Sequence, residues 1–325
     1  MCIRDRMYIV LTTKHHDGFC LWNTALTDYN ITRSPFKRDV VKELAAACKK
    51  QGIAFGAYYS VTDWYNPDWP VTSPAGKVAR SKSDLDAYEK FLQGQIRELI
   101  TNYGPLITIW NDVPAMYGKE RGLLTIKMVR ELQPDILINN RTGAGGDYDT
   151  PEQKIGGFDT KNPWESCMTV SAHNHWAWGG ERDGVKSLKA CLTMLIRGAG
   201  GDGNVLLNVG PRADGIIDPE QASRLKEIGE WLAKYGESIY GTRGGPCQPG
   251  ANFATTRRDK FVYLHILEWP KDGDLRLPAL PARIKSSTLL TGGKVEIVQA
   301  GGDIVVRIAS EHRQEIDTLV KLELD

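Results

Sequence analysis

Polar and aromatic side chains that could take part in catalysis follow several predicted strands of this sequence. The clearest case is the apolar run Leu106–Asp112, which lies between Gly104-Pro105 and Pro114 and ends in a carboxylate. A short β-branched run between turn residues predicts a buried strand. A single Asp at such a strand end is often only a loop cap. Its role therefore has to be inferred from the residues at the other predicted strand ends. Comparable groups at or after other predicted strand ends are His15, His16, Tyr58, Trp110, Arg141, Glu152 and Glu165.

These residue types favour a reaction that uses paired carboxylates. The carboxyl ends of parallel strands meet on one side of an α/β domain, so we expect the groups to share one site. A metal centre stays open but is not favoured, because His15, His16 and Asp112 are only the start of a ligand set. The sequence has no Gly-x-Ser-x-Gly elbow and no glycine-rich phosphate loop after a strand. Glycoside hydrolysis fits better, with Asp112 as the ionised carboxyl and a Glu on an aromatic-walled loop as the protonated one.

The composition argues against several other classes of protein. The chain has 41 Lys+Arg and 40 Asp+Glu, with no basic stripe for nucleic acid and no polybasic segment for a membrane surface. No apolar stretch is long enough to span a bilayer. Six Cys are scattered without Cys-x-x-Cys or zinc spacing, and we interpret them as mostly reduced thiols. We predict no cofactor, and self-association is left open.

Strand-like and helix-like segments alternate up to about residue 240, and the last of them is an amphipathic helix predicted from about Pro219 to Tyr235. The six predicted strands of this part are Met7–Thr13, Ile53–Tyr59, Leu106–Asp112, Ile136–Asn139, Trp164–Val170 and Asn204–Val209. The alternation predicts an α/β fold, a (β/α)8-like TIM barrel that lacks its first strands. From about Gly241, short alternating strands predict an antiparallel β-sandwich. We therefore expect a spurious or foreign leader at 1–6, a catalytic barrel at 7–240 that is incomplete at its N-terminus, and a β-sandwich at 241–325.

Several sequence strings, in this order, resemble the α-L-fucosidases of glycoside hydrolase family 29. They are Lys14-His15-His16-Asp17-Gly18-Phe19, Trp110-Asn111-Asp112, Pro163-Trp164-Glu165-Ser166-Cys167 and the segment Gly203–Gly215. The resemblance covers about residues 7 to 243 and implies retaining hydrolysis of terminal α-L-fucose from fucosylated glycans or glycoconjugates. The chain departs from the family pattern because two barrel strands before the His-His string are missing. It also departs from it in the segment Ser171–Gly179.

The resemblance also implies roles for individual residues. Asp112 matches the nucleophile, which would form a covalent fucosyl-enzyme intermediate. His15 and His16 match a pair that binds fucose hydroxyls. Glu152 is the first choice for the general acid/base, and Glu165 is the alternative. The remaining candidates for the sugar pocket are Tyr58, Trp110, Arg141, Trp178 and Trp22.

Two other functions stay open at this level. The chain could be a different retaining glycosidase on the same barrel, or a catalytically silent fucose-binding fragment. The sequence gives neither the linkage preference nor the compartment. We expect a periplasmic or secreted location if a signal peptide belongs upstream of these residues.

Overall fold

The computed structural model describes residues 8–72, 79–300 and 303–325, so the predicted leader at 1–6 lies outside the described residues. The chain separates into two compact units. One unit ends at Asp149, and the other runs from Thr150 to Asp325.

The first unit is built on a four-stranded parallel sheet with helices between its strands. Its elements in chain order are β1 (Tyr8–Lys14), α1 (Val40–Gln51), β2 (Ala54–Ser60), α2 (Leu85–Tyr103), β3 (Leu106–Asp112), α3 (Lys119–Leu132) and β4 (Leu137–Ile138). The strands lie in the order β1-β2-β3-β4, and each neighbouring pair is parallel. The carboxyl ends of all four strands therefore lie along one edge of the sheet.

Local signals fix where the helices of this unit begin and end. The carboxylate of Asp39 accepts a hydrogen bond from the backbone N–H of Lys42 and caps α1, which ends at Gly52 in the left-handed conformation. Along α2, fully buried Leu92, Ile96 and Leu99 recur at helical spacing. They form one face that packs into the same hydrophobic core as the sheet.

The second unit begins with a parallel strand pair and two helices. These elements are β5 (Glu165–Thr169), α4 (Leu188–Gly200), β6 (Asn204–Asn208) and α5 (Pro219–Tyr235). β5 and β6 pair in parallel, with Glu165 opposite Asn204 and Thr169 opposite Asn208. The Ser187 hydroxyl caps α4, and Asp218 caps α5, in which Pro219 is the first residue.

The rest of the second unit is antiparallel sheet. Its strands are β7 (Arg243–Gly244), β8 (Phe253–Arg258), β9 (Phe261–Ile266), β10 (Leu275–Leu277), β11 (Ile284–Leu289), β12 (Glu296–Ala300), β13 (Asp303–Arg307) and β14 (Thr318–Leu324). They form a five-stranded sheet in the order β11-β14-β9-β8-β7 and a three-stranded sheet in the order β10-β13-β12. Leu264 and Leu322 of the first sheet share a buried core with Ile304 and Val306 of the second.

The predicted α/β class with a sheet-rich C-terminal part is confirmed. All six predicted parallel strands are present within two residues of their expected ends, and α5 has the predicted bounds. The strands β7, β8, β10 and β14 were not predicted. In β8 the fully buried residues include the polar Thr255 and Thr256. The strand therefore lacks the alternation of apolar residues on which strand prediction depends.

Two further observations bear on the sequence analysis. Within the described residues, no helix is long and apolar enough to cross a membrane. The cysteines of the described ranges are buried free thiols at positions 20, 48, 167, 191 and 247. None of these five thiols takes part in a disulfide, and their mostly reduced state stays a prediction.

Candidate functional site

Asp112 lies at the carboxyl end of β3, where two strong donors hold its carboxylate. The hydroxyl of Tyr58 donates to Oδ2 at 2.6 Å, and Nη1 of Arg141 donates to Oδ1 at 2.9 Å. The side chain of Asp112 is 14% exposed, so it still opens to solvent on one side. Hydrogen bonds to a charged group are among the stronger ones in proteins, and two of them fix the orientation of this carboxylate.

The register of the parallel sheet brings these groups together. Tyr58 of β2 lies opposite Trp110 of β3, and Ser60 lies opposite Asp112. Residues two apart on a strand point to the same face, so Tyr58 and Ser60 share a face, as do Trp110 and Asp112. The backbone N–H of Val61 also donates to the carbonyl oxygen of Asp112 at 2.8 Å, which holds the two strand ends together.

A stack of flat side chains forms one wall beside the carboxylate. The ring of Tyr58 lies parallel to the imidazole of His15 at 5.7 Å and parallel to the indole of Trp110 at 5.4 Å. The guanidinium of Arg141 lies over the Trp110 ring at 5.0 Å. Such a cation–π contact and its ion pair with Asp112 restrain Arg141 from two directions.

His16 faces the same carboxylate as a neutral ring. Its Nε2 lies 3.8 Å from Oδ2 of Asp112, and its Nδ1 lies 2.6 Å from Oγ of Ser60. The Ser60 hydroxyl donates its single proton to the carbonyl oxygen of Thr62 at 2.6 Å, so Oγ accepts from a protonated Nδ1. Burial and the neighbouring His15 lower the pKa of His16 to about 4. Near neutral pH, Nε2 is therefore an unprotonated acceptor directed at the site.

The turn that carries His15 and His16 is held in place by contacts with Asp63 and Trp64. Nζ of Lys14 is fully buried and pairs with Oδ2 of Asp63 at 2.9 Å. The carbonyl oxygen of His16 accepts from the backbone N–H of Trp64 at 2.7 Å. Gly18 has a φ of +83°, and a Cβ there would lie 2.3 Å from Oδ1 of Asp63. Only glycine fits this position, because any side chain would displace the carboxylate that anchors Lys14.

In chemical terms this cluster suits a polyhydroxylated ligand. His16 offers an acceptor, Arg141 offers guanidinium donors, and the aromatic stack lines one side of the cluster with apolar surface. Asp112 is an oriented carboxylate that could act as a nucleophile toward an electrophilic carbon. Across the described part of the chain, no group of three or more His, Cys, Asp and Glu side chains could hold a metal ion.

In the second unit, Glu152 lies beside the middle of β5. Glu152 pairs in parallel with Cys167, and the N–H of Gln153 donates to the Cys167 carbonyl oxygen at 2.9 Å. The indole Nε1 of Trp176 donates to Oε1 of Glu152 at 3.1 Å. Glu152 is an exposed carboxylate with the indole N–H of Trp176 beside it.

Glu165, the alternative carboxylate, is the first residue of β5. It lies at the amino end of that strand, next to the buried Trp164, whereas the loop with Trp176 follows the carboxyl end. In parallel α/β domains catalytic groups lie at carboxyl ends, which favours Glu152 over Glu165. Trp178 is half-buried and its ring lies 5.4 Å from the guanidinium of Arg212.

The structure corrects the expectation for Trp22. This side chain is fully buried in the core of the first unit, and its Nε1 donates to Oε2 of Glu98 at 2.9 Å. A ring with no exposed surface has no face to offer a sugar. Trp22 has a packing role, and the sequence pattern alone did not distinguish it from the pocket aromatics.

Three residues that orient the candidate groups were not predicted from the sequence. Ser60 fixes the protonation of His16, Trp176 contacts Glu152, and Asp183 anchors the loop that carries Trp176. Ser60 could have been found, because it lies at a strand end two residues after Tyr58. Nothing in the sequence ties Trp176 or Asp183 to Glu152.

Comparisons with known proteins show which family this chain is similar to. The family profile of alpha-L-fucosidases matches residues 6–237. The plasma alpha-L-fucosidase of Pongo abelii is 32% identical over 301 residues, which are 83% of this chain and 61% of that protein. This chain thus spans about three fifths of the length of that relative.

Solved structures extend the likeness to the fold. Alpha-L-fucosidase isoenzyme 1 from Paenibacillus thiaminolyticus matches with a TM-score of 0.80 and 34% identity, covering 98% of this chain and 83% of that one. A GH29 alpha-L-fucosidase from Bacteroides thetaiotaomicron, solved as a trapped covalent intermediate, matches with a TM-score of 0.81 and 26% identity, covering 98% and 79%. With a family match over most of its residues, this chain belongs to the alpha-L-fucosidase family.

Proposed function

We propose that this chain is the catalytic part of a retaining exo-α-L-fucosidase that releases terminal α-L-fucose from fucosylated oligosaccharides or glycoconjugates. The observation that carries the proposal is the carboxylate of Asp112, held between the hydroxyl of Tyr58 and the guanidinium of Arg141. Membership of the alpha-L-fucosidase family supports it.

In the proposed mechanism Asp112 and Glu152 both act in each of two steps. An oxygen of Asp112 attacks the anomeric carbon of fucose while the bond from that carbon to the leaving oxygen breaks. Glu152 gives its proton to that oxygen, and a fucosyl ester on Asp112 remains. Glu152 then takes a proton from water, which attacks the same carbon and frees both fucose and Asp112.

The other candidates bind the sugar in this proposal. Nε2 of His16 accepts a hydrogen bond from a fucose hydroxyl, since the imidazole is neutral with its proton on Nδ1. Arg141 and His15 offer polar contacts to hydroxyls. Tyr58 and Trp110, which stack on each other, line the pocket, and Trp178 provides a flat face for the C–H side of the fucose ring.

We also propose that the parallel strands β1–β6 belong to a (β/α)8-like barrel at 7–240, followed by a β-sandwich at 241–325. The parallel pairing of β1–β4 and of β5 with β6 supports the barrel. The core shared by the two antiparallel sheets supports the sandwich.

A mechanism-based label tests the nucleophile directly. The chain is incubated with 2-deoxy-2-fluoro-fucosyl fluoride, digested, and searched by mass spectrometry for a fucosyl ester. We expect the label on the peptide that carries Asp112, because the 2-fluorine slows both steps while the fluoride leaving group keeps the first step fast enough for the ester to accumulate. A label on another carboxylate would refute the assignment.

Kinetics provide the second arm. Asp112→Gly is expected to lower hydrolysis of 4-nitrophenyl α-L-fucoside by about 1,000-fold or more, because the covalent route is lost. Asp135→Gly is the matched control, since this exposed Asp lies in a turn after α3. Fucose binding by calorimetry with no turnover in wild type would instead favour the silent fucose-binding function.

A further inference from the structure

A buried carboxylate holds together the loop that follows β5. Oδ1 of Asp183 accepts from Oγ of Ser171 at 2.9 Å, and from Nδ1 of His173 at 3.1 Å and of His175 at 3.0 Å. The Asp183 side chain is 4% exposed, whereas those of His173 and His175 are 65% and 51% exposed. Burial raises the pKa of Asp183, but the hydrogen bonds from Ser171, His173 and His175 and the charge of His175 together outweigh it, so the net pKa is lowered. We call these four residues the Asp183 clasp.

The backbone of the loop is fitted to the clasp. Oγ of Ser171 accepts from the N–H groups of His173 and His175 at 3.2 and 3.0 Å. Gly179 packs so closely that a Cβ there would lie 2.2 Å from Nδ1 of His175 and 2.7 Å from Cγ of Asp183. The loop therefore has little freedom to shift while the clasp is intact.

The clasp fixes the position of Trp176, the residue that contacts Glu152. Trp176 follows His175 directly, its carbonyl oxygen accepts from Nδ2 of Asn208 at 2.9 Å, and its Nε1 donates to Oε1 of Glu152 at 3.1 Å. On the other side of the clasp, the carbonyl oxygen of Asn174 accepts from Nε2 of Gln153 at 3.3 Å. The loop is thus bonded to Glu152 and to the residue after it.

We propose that the Asp183 clasp is the positioning device of the general acid/base. By holding Trp176, it keeps the Glu152 carboxyl in the orientation from which it protonates the leaving oxygen. The proposal rests on the proposed function of Glu152, and Asp183 is a positioning residue that touches no substrate. Proton transfer demands hydrogen-bond reach between acid and leaving oxygen, so a displaced Glu152 is a poor acid even when its charge is unchanged.

The first readout is structural and needs no turnover. In ¹⁵N-tryptophan-labelled protein, the variant Trp176→Phe identifies the indole N–H signal of Trp176. We expect Asp183→Ala to shift or broaden that signal and to speed its solvent exchange about tenfold or more, because the loop loses its anchor. Asp202→Ala is the matched control. This carboxylate is also 4% exposed in the same unit, and it pairs with Arg243 instead of the loop.

The second readout separates positioning from general damage by means of the leaving group. A fucosyl disaccharide needs its leaving oxygen protonated, whereas fucosyl fluoride needs little help. We expect Asp183→Ala to lower kcat/KM on the disaccharide about 100-fold and on the fluoride less than about threefold, because kcat/KM reports the first step and excludes the later role of Glu152 as a base. Asp183→Asn keeps the Oδ1 acceptor and should restore most of the disaccharide rate. If Asp183→Ala does not fold, His175→Ala removes one exposed arm of the clasp and should give a smaller loss in the same direction.

Equal losses on both substrates, or an unchanged Trp176 signal in Asp183→Ala, would overturn the inference. A wild-type chain that hydrolyses neither substrate would instead refute the proposed function. The indole spectra would then still decide whether Asp183 holds Trp176 in place.

Discussion

Acidification should destabilise this protein through His16. The folded state lowers the pKa of this imidazole from 6.5 to about 4, by burial and by the neighbouring His15. Between those two pKa values His16 is protonated in the unfolded chain and neutral in the folded chain. The free energy of unfolding therefore falls as the pH falls. From about pH 7 to about pH 5 this single group costs about 2 kcal/mol, and its full effect is reached below the folded pKa.

The test compares wild type with His16→Asn, whose amide can still donate to Oγ of Ser60 in place of Nδ1. Urea unfolding followed by fluorescence is measured at about pH 7 and about pH 5 for both proteins. Wild type should lose about 2 kcal/mol more than the variant over that interval, because only wild type has the titrating ring. Equal losses in the two proteins would refute the lowered pKa of His16 in the folded state.

Three further outcomes follow from single contacts. Tyr58→Phe removes the hydroxyl that donates to the candidate nucleophile and should lower kcat/KM for an aryl fucoside about 10- to 100-fold; unchanged kinetics would contradict its role. Lys14→Met leaves the buried carboxylate of Asp63 without its cation and should lower the free energy of unfolding by about 3–5 kcal/mol in urea titrations, and a loss below about 1 kcal/mol would refute it. In the C-terminal sheets, Nδ1 of His265 lies 2.8 Å from Oδ2 of fully buried Asp317, so Asp317→Ala should cost about 1–3 kcal/mol and lower the melting temperature. A melting temperature equal to that of wild type would contradict this last expectation.

The elements that depend on short stretches of sequence were predictable. The strand Leu106–Asp112 and the helix Pro219–Tyr235 have the bounds that their patterns predict. A β-branched run between prolines and an amphipathic repeat with an Asp cap are local signals, which are decided by residues within one or two turns. In contrast, Thr255 and Thr256 of β8 are buried because their hydroxyls donate to the carbonyl oxygens of Cys247 and Ser238.

The sequence by itself determined that Asp112, Tyr58 and Arg141 would meet. In a parallel sheet the carboxyl ends of neighbouring strands lie at one edge, and this topology follows from the alternation of strands and helices. Only the tertiary structure decided the finer chemistry. The proton on Nδ1 of His16 depends on Ser60, 44 residues away. The contact of Trp176 with Glu152 spans 24 residues. Side-chain orientation and protonation arise from contacts between distant segments, and no local pattern encodes them.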